Sequence, residues 1–520
     1  MIRHIVFLLI ILIGYQSIKG QEKYWVFLKD KKFSAVDTHD YLDQKAKNRR
    51  KKIGFPLNHY TDIPVSISYV DEVKSKVDHI LGVSRWFNAI CVAAFEEQIS
   101  EIKLLPYVVE VQPLNPVLHA CQLDFKNKNI NNLAERQISS LEGQVFQNKG
   151  LDGKGLRICV IDGGFKGALE TPSLQHLFKN NQIIKTWDFH YKREDVYKYS
   201  EHGSAVLSCI AGKYQNQILG LAQSAEFLLA RTERVAVENE TEEVLWLMAM
   251  EWADANGADI INTSLGYASE EYFNYQMDGK TSIIARAANM AAKKGILVLV
   301  SAGNSGDSDW KYIATPADAD SVLTIGAITS SGIHRSFSSF GPTADFRMKP
   351  NVVAFGDVMG ASKKGISKTQ GTSFSCPLVA GYAACVWQNY PDKTNMEIFE
   401  LIEKSGSLYP YFDYAHGYGV PKASYYFKDE IIIPTFEIIR DGNTIKIELT
   451  ENQEIHHGTQ YMFMHVENDK FNYEGQTKKV LEKYKTILVH SKNPITINAN
   501  HYKDKILRFH FNGYMNEIRL

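Results

Sequence analysis

Residues 137–427 alternate short apolar runs with helical patterns, and this alternation constrains the fold more than any other feature of the chain. LRICVID (156–162), EFLLAR (226–231), ADIINTSL (258–265), ILVLVSAGN (296–304) and VLTIGAI (322–328) are rich in Val, Ile and Leu. A strand with one wet face would alternate apolar and polar residues, so these runs predict strands of a parallel sheet covered on both sides. Between them EEVLWLMAMEWADANG (242–257) and TSIIARAANMAAKKG (281–295) read as helices, each stopped by a glycine. The expected fold is α/β: an open parallel sheet with helices on both faces. In such sheets the working residues gather at the carboxyl ends of the strands. Asp162 and Asn304 fall at such ends, and Ser264 lies close to one.

The flanks differ in character. Residues 21–117 read as a small α+β domain: strand YWVFL (24–28), helix VDEVKSKVDHIL (70–81), strand WFNAICVAAF (86–95), helix EEQISEIKLL (96–105) and strand YVVEVQ (107–112). An Asn/Lys-rich stretch, DFKNKNINN (124–132), marks a linker over 118–136, and the α/β domain then runs over 137–428. Residues 429–520 alternate in the manner of strands, with a hairpin signal at Asp441-Gly442-Asn443, and read as a small all-β sandwich.

The first twenty residues stand outside any fold. Arg3 and His4 precede an apolar stretch over 5–13, and polar residues lead to Gly20-Gln21, the pattern of a secretory signal peptide over 1–20. No later run is apolar enough for a membrane span, so an exported chain with no span after signal removal is expected, whether secreted, periplasmic or at the cell surface. A formal net charge of −1 argues against nucleic acid as a partner. The basic run KAKNRRKK (45–52) reads as a solvated helix face. Six cysteines (Cys91, Cys121, Cys159, Cys209, Cys376 and Cys385) match no zinc or redox spacing, and most have the small or apolar neighbours of buried free thiols.

Three separated stretches combine into one chemistry. VIDGGF places Asp162 at the end of a buried strand; EHGSAVLSCIAG opens a helix with His202; GTSFSCPLVAG opens another with Ser373, Pro377 being tolerable in a first turn. A serine hydroxyl needs a base to take its proton during attack, imidazole titrates in the right range, and a buried carboxylate fixes its tautomer. The oxyanion formed by attack needs donors already aimed at it. A helix amino end at Ser373 supplies backbone N–H, and Asn304 a side-chain amide.

Asp162, His202, Asn304 and Ser373, in this order and with these neighbours, resemble the catalytic motifs of the subtilisin-like serine proteases. NTSLG, with Ser264, Leu265 and Gly266, resembles the strand that pairs with substrate backbone in that family. FSSFGPTADFRMKP (337–350) and HGYGVP (416–421) resemble its later loops. The resemblance implies an endopeptidase acting on polypeptide substrates, with Ser373 as nucleophile, His202 as acid/base, Asp162 as orienting carboxylate and Asn304 as oxyanion donor. It implies no required cofactor; calcium is common among relatives, but no ligand set is assigned here. It also makes residues 21–117 a prodomain, an intramolecular inhibitor removed by self-cleavage between about 117 and 137. The stretch YLDQKAKNRRKKIGFPLNHYTDIPVSISYV is similar to the amino-terminal region of exported Bacteroidota-type members. Departures are mild: Asp162-Gly163-Gly164 and His202-Gly203-Ser204 replace the usual motifs with other small residues, and Cys376 takes a small-residue position.

Two other enzyme classes fail on spacing. The glycines of DGKGLRICVIDGGF (152–165) precede the strand and do not form G-x-G-x-x-G after it, and Gly371-Thr372-Ser373-Phe374-Ser375 is not G-x-S-x-G. The remaining rival is a catalytically silent chain that keeps the fold for peptide binding.

Overall fold

The computed structural model describes residues 21–520 except 33–40, 115–132, 234–240, 269–271, 364, 428–432, 452 and 454–459. The expected signal peptide, most of the expected linker and Cys121 lie outside the described residues. The chain divides into two compact units, residues 1–38 with 58–115, and residues 39–57 with 116–520. The second unit thus takes in residues 39–57, from the middle of the expected α+β domain.

The first unit is a four-stranded antiparallel sheet in the order His79–Ser84, Ala89–Ala94, Glu22–Leu28, Val108–Pro113. Helices Ile67–Lys74 and Glu96–Lys103 contribute Val73, Ile99 and Ile102 to a core with Val26, Ile90 and Val92. The helix expected over 70–81 therefore stops early. His79–Ser84 is a strand, with Ile80 paired to Val92. Its apolar spacing fits either structure, and the neighbouring strand decides.

The second unit is built on a seven-stranded parallel sheet. Its strands are β1 (Arg157–Asp162), β2 (Ile183–Asp188), β3 (Glu226–Arg231), β4 (Ile260–Thr263), β5 (Leu297–Ser301), β6 (Leu323–Ile328) and β7 (Val352–Phe355), in the order β7-β6-β5-β4-β1-β3-β2. The five expected strands are all present and almost wholly buried. The two edge strands complete the sheet. β2 has exposed Ile184 and Lys185 in its middle and so forms no long apolar run; β7 is short and fully buried. The helices that position chemistry are α1 (Gln44–Lys52), α2 (His202–Ala211), α3 (Glu242–Ala255), α4 (Ile283–Lys293) and α5 (Thr372–Asn389). α5 is buried from Thr372 to Trp387, and its small residues let it lie against the sheet and α2. Helix Leu133–Ser139 straddles the expected boundary between the linker and the α/β domain. Its buried Gln137 donates to Leu219 O at 2.8 Å and accepts from Met359 N at 2.8 Å.

The carboxyl-terminal strands form two antiparallel sheets, of three and four strands, around Phe436, Ile445, Met464 and Phe509. The predicted hairpin turns between Asp441 and Thr444, which face each other in register. Among the described residues no helix is long and apolar enough to cross a membrane. The described cysteines Cys159, Cys209, Cys376 and Cys385 are free and buried, and Cys91 is buried as they are.

Candidate active site

Asp162 ends β1, where its carbonyl accepts from Thr232 N at 3.1 Å and its Oδ1 accepts from Gly163 N at 2.8 Å. His202 begins α2 and turns its Nδ1 to both carboxylate oxygens of Asp162, at 2.9 and 3.0 Å. An ionised carboxylate only accepts, so Nδ1 carries the proton and Nε2 is the basic edge of the ring. Gly203 permits this approach of helix to strand. Its N–H donates to Gly164 O at 3.0 Å, and a Cβ there would stand 2.5 Å from the same oxygen.

Ser373 lies in the first turn of α5, behind Gly371 at φ 138°, a conformation that L side chains rarely adopt. The helix dipole points its positive end at this turn. Asn304 docks on it from beyond β5: its Oδ1 accepts from Thr372 N at 2.9 Å and from Thr372 Oγ1 at 2.8 Å. An oxygen held by a backbone N–H settles the orientation of the amide and turns its NH2 the other way, as a donor. The ring of Phe374, next to Ser373, is 5.3 Å from the His202 ring, which sets the imidazole alongside the serine's turn. Four residues read from separated motifs thus converge at the carboxyl ends of β1 and β5 and the amino ends of α2 and α5.

Ser264, expected on a substrate-pairing strand, lies directly against the turn of Ser373. Its carbonyl accepts from Ser373 Oγ at 3.2 Å, and its own hydroxyl donates to Ser373 O at 2.9 Å. The helix begins at Thr372, so Pro377 stands in the second turn and not in the first as expected. Proline has no N–H for the carbonyl four residues back, which is Ser373. Ser264 supplies the missing donor. Leu265 and Gly266 follow β4, and Tyr267 exchanges backbone hydrogen bonds with Thr315 at 2.8 and 3.1 Å. The segment therefore runs beside Ala314 and Thr315, which sequence reasoning did not single out.

Arg231 was also missed. It ends β3 opposite Asp162, is buried, and pairs through Nη1 with both carboxylate oxygens of Asp188, at 3.1 and 2.9 Å. Its Nε donates to Gly163 O at 3.1 Å, and its guanidinium lies 4.0 Å from the Tyr199 ring centre. The available signal was an arginine closing an otherwise apolar strand.

Other titratable groups are explained by burial. It pushes the Glu243 carboxyl up to about 7, although Tyr272 Oη donates to it at 2.8 Å. It pushes the Cys376 thiol well above its ordinary value, so this sulfur is core filling and not a nucleophile. Among the described residues no three His, Cys, Asp or Glu side chains cluster as a metal site of those ligands would need.

Comparison with known proteins places the chain in a family. Residues 153–419 match the Subtilase family model of peptidase S8, and residues 23–132 match the peptidase S8 propeptide domain of Bacteroidota. M-protease of Shouchella clausii is 26% identical over 301 residues, which cover 58% of this chain and 72% of that protein. Subtilisin E of Bacillus subtilis is 25% identical over 350 residues, covering 65% and 80%. The solved structure of an epidermin leader peptide processing serine protease from Staphylococcus aureus has a TM-score of 0.55 at 16% identity. It covers 78% of this chain and 98% of that one, a likeness of fold.

Proposed function

The chain belongs to the subtilase family and is a subtilisin-like serine protease with a propeptide domain, and from that premise we propose that it is an exported endopeptidase that removes its own propeptide. Ser373 Oγ attacks the scissile carbonyl while His202 Nε2 takes its proton. Asp162 holds Nδ1–H and stabilises the imidazolium. The Asn304 amide and the Ser373 backbone N–H receive the oxyanion. His202 then protonates the leaving amine, and water, activated by the same nitrogen, releases the acyl group. The observation that carries this reading is the double contact of His202 Nδ1 with Asp162, which fixes the tautomer a general base needs.

Self-cleavage falls between about residues 117 and 137 in this proposal, and until then the propeptide acts as an intramolecular inhibitor. The signal pattern in residues 1–20 supports export. The test is labelling with a fluorophosphonate, which reacts only with an activated serine. Modification at Ser373 that is lost in His202→Ala is expected; an unlabelled chain of native fold would leave the silent peptide-binding alternative. Mass analysis of wild type beside Ser373→Ala reads processing: the variant stays uncut, and identical amino termini in both would end the self-processing part.

A further inference from the structure

The basic run over 45–52, expected as a solvated face, is solvated only in part: Lys51 and Lys52 are exposed, whereas Arg49 and Arg50 are buried. Arg50 is 0% exposed and Arg49 5%, and both reach the carboxylate of Asp254 near the end of α3. Arg50 Nη2 lies 2.7 Å from Asp254 Oδ2, and Arg49 Nη2 bonds Asp254 Oδ1. Lys294 Nζ stands farther off, at 3.9 Å. Most of the positive charge around this buried carboxylate therefore comes from α1.

Arg49 also covers carbonyls where two helices end. Its Nε donates to Lys294 O at 3.1 Å, just past α4, and its Nη2 donates to Asp254 O at 3.3 Å, in the last turn of α3. Its Nη1 donates to Ala258 O ahead of β4. A cation suits this place because helix carboxyl ends carry partial negative charge and carbonyls without helical partners. Around this centre Asp43 N donates to Ala255 O at 2.8 Å, and Lys45 Nζ lies 3.2 Å from Asp259 Oδ2. The rings of Phe55 and Trp387 lie under Lys294 and Lys52 at 4.8 and 5.4 Å. All these contacts are at the amino ends of β1, β4 and β5, whereas Asp162 and Asn304 lie at their carboxyl ends. A seated α1 leaves the catalytic end of the sheet open.

The propeptide match nevertheless spans residues 23–132, so α1 is propeptide by sequence and catalytic unit by packing. We propose that α1 stays seated after the chain is cut between the propeptide and the catalytic domain, making the processed enzyme a non-covalent two-chain molecule held by Arg49, Arg50 and Asp254. This rests on the proposed self-processing only for the natural position of the cut. Withdrawing α1 would strip a buried carboxylate of two cations and uncover three carbonyls, whereas leaving it in place costs the active site nothing.

The experiment uses the Ser373→Ala chain with the recognition sequence of a site-specific protease placed between residues 124 and 131. After complete cleavage, gel filtration at nanomolar concentration with intact-mass detection reads retention. Both pieces should co-elute. In the Arg49→Ala/Arg50→Ala chain the amino-terminal piece should bind at least about 10²-fold more weakly. Lys51→Ala, an exposed position on the same helix, should not change retention. Separation of the unsubstituted pieces, or equal affinity of the double variant, overturns the proposal. Should the double variant fail to fold, hydrogen exchange on the cut, unsubstituted protein decides. Amides of residues 44–52 protected like those of α3 support seating, and exchange at the rate of unstructured chain overturns it. A foreign protease makes the cut, so failure of Ser373 to process its own chain leaves this result readable.

Discussion

Ser264 Oγ donates to the carbonyl oxygen of Ser373 at 2.9 Å, the acceptor that Pro377 leaves without a helical partner. Ser373 in turn donates its hydroxyl to Ser264 O at 3.2 Å. The end of β4 and the turn of Ser373 are therefore coupled in both directions, and a helix with proline in its second turn keeps the carbonyl of Ser373 satisfied.

Removing the Ser264 hydroxyl leaves a buried carbonyl unpaired, at a cost of about 1–3 kcal/mol. Ser264→Ala is expected to lower Tm and to lower kcat more than it raises KM, because the serine's turn shifts. Pro377→Ala restores an N–H to the same carbonyl, so in the double variant the stability loss should shrink toward zero. Thermal melts of the four chains, made in Ser373→Ala to prevent autolysis, measure this coupling. Simple additivity would show that the Ser264 hydroxyl does not act through the Ser373 carbonyl.

Asn304 offers a separate test of the proposed oxyanion site. Its Oδ1 is occupied by Thr372, so Asn304→Asp keeps that acceptor while replacing the NH2 donor with a carboxylate oxygen. Asn304→Ala removes both functions. Each variant should lose about 10²–10³ in kcat, the range for removing the corresponding donor in a subtilisin, with little change in KM. A loss confined to KM would place Asn304 in ground-state binding.

The parts of this architecture legible in the sequence are those where burial on both faces leaves a continuous signature, as in β1 and β3 to β6. Edge strand β2 lacks it, because Ile184 and Lys185 are exposed in its middle, whereas β7 is apolar, buried and as short as β4, and sequence reasoning did not single it out. Asp162, His202, Asn304 and Ser373 were readable because glycines and other small residues crowd around them. Gly203 shows why: the backbone of α2 must come within hydrogen-bonding distance of the loop after Asp162. Arg49 and Arg50 were misread because a dense run of charge looks the same whether water or a carboxylate receives it. Asp254, which decides the matter, is 205 residues from Arg49 in the chain. The Ser264 hydroxyl was assigned only through its motif, since a proline's missing donor shows its consequence only once the helix start is known.

Arg231 should prove a positioning residue. Its Nε holds Gly163 O, next to Asp162, and its Nη1 neutralises Asp188. Arg231→Lys retains a cation but not the planar fork that serves both acceptors. The expected result is a several-fold drop in kcat/KM with an altered pH profile for the His202 limb, at modest cost in Tm. Arg231→Met leaves the buried Asp188 with only Arg193 at 4.0 Å and the N–H groups of His190 and Tyr191, and up to about 3–5 kcal/mol of stability should go with the lost pair. An unchanged pH profile in the lysine variant would reduce Arg231 to a structural role.

Acid stability should be governed by histidines where loops of the α/β domain meet the carboxyl-terminal strands. Burial first of all pushes His334, His465 and His510 down to about 4. The His465 ring stacks on Tyr411 at 4.6 Å, with Asp413 and Arg508 as charged neighbours, and His510 lies 6.0 Å from the same tyrosine. All three are neutral in the folded chain down to about pH 4, whereas in the unfolded chain they take up protons near pH 6.5. Above pH 6.5 they therefore contribute their full stabilisation; as pH falls from 6.5 toward 4 the unfolded state binds protons first and stability declines. Each histidine accounts for up to about 3 kcal/mol across that window. The Ser373→Ala chain should lose Tm steeply between pH 6.5 and 4.5, and His465→Phe, which keeps a stacking ring without a titrating nitrogen, should reduce that slope by about one proton. A slope identical in the phenylalanine variant would mean that other groups set the acid limit.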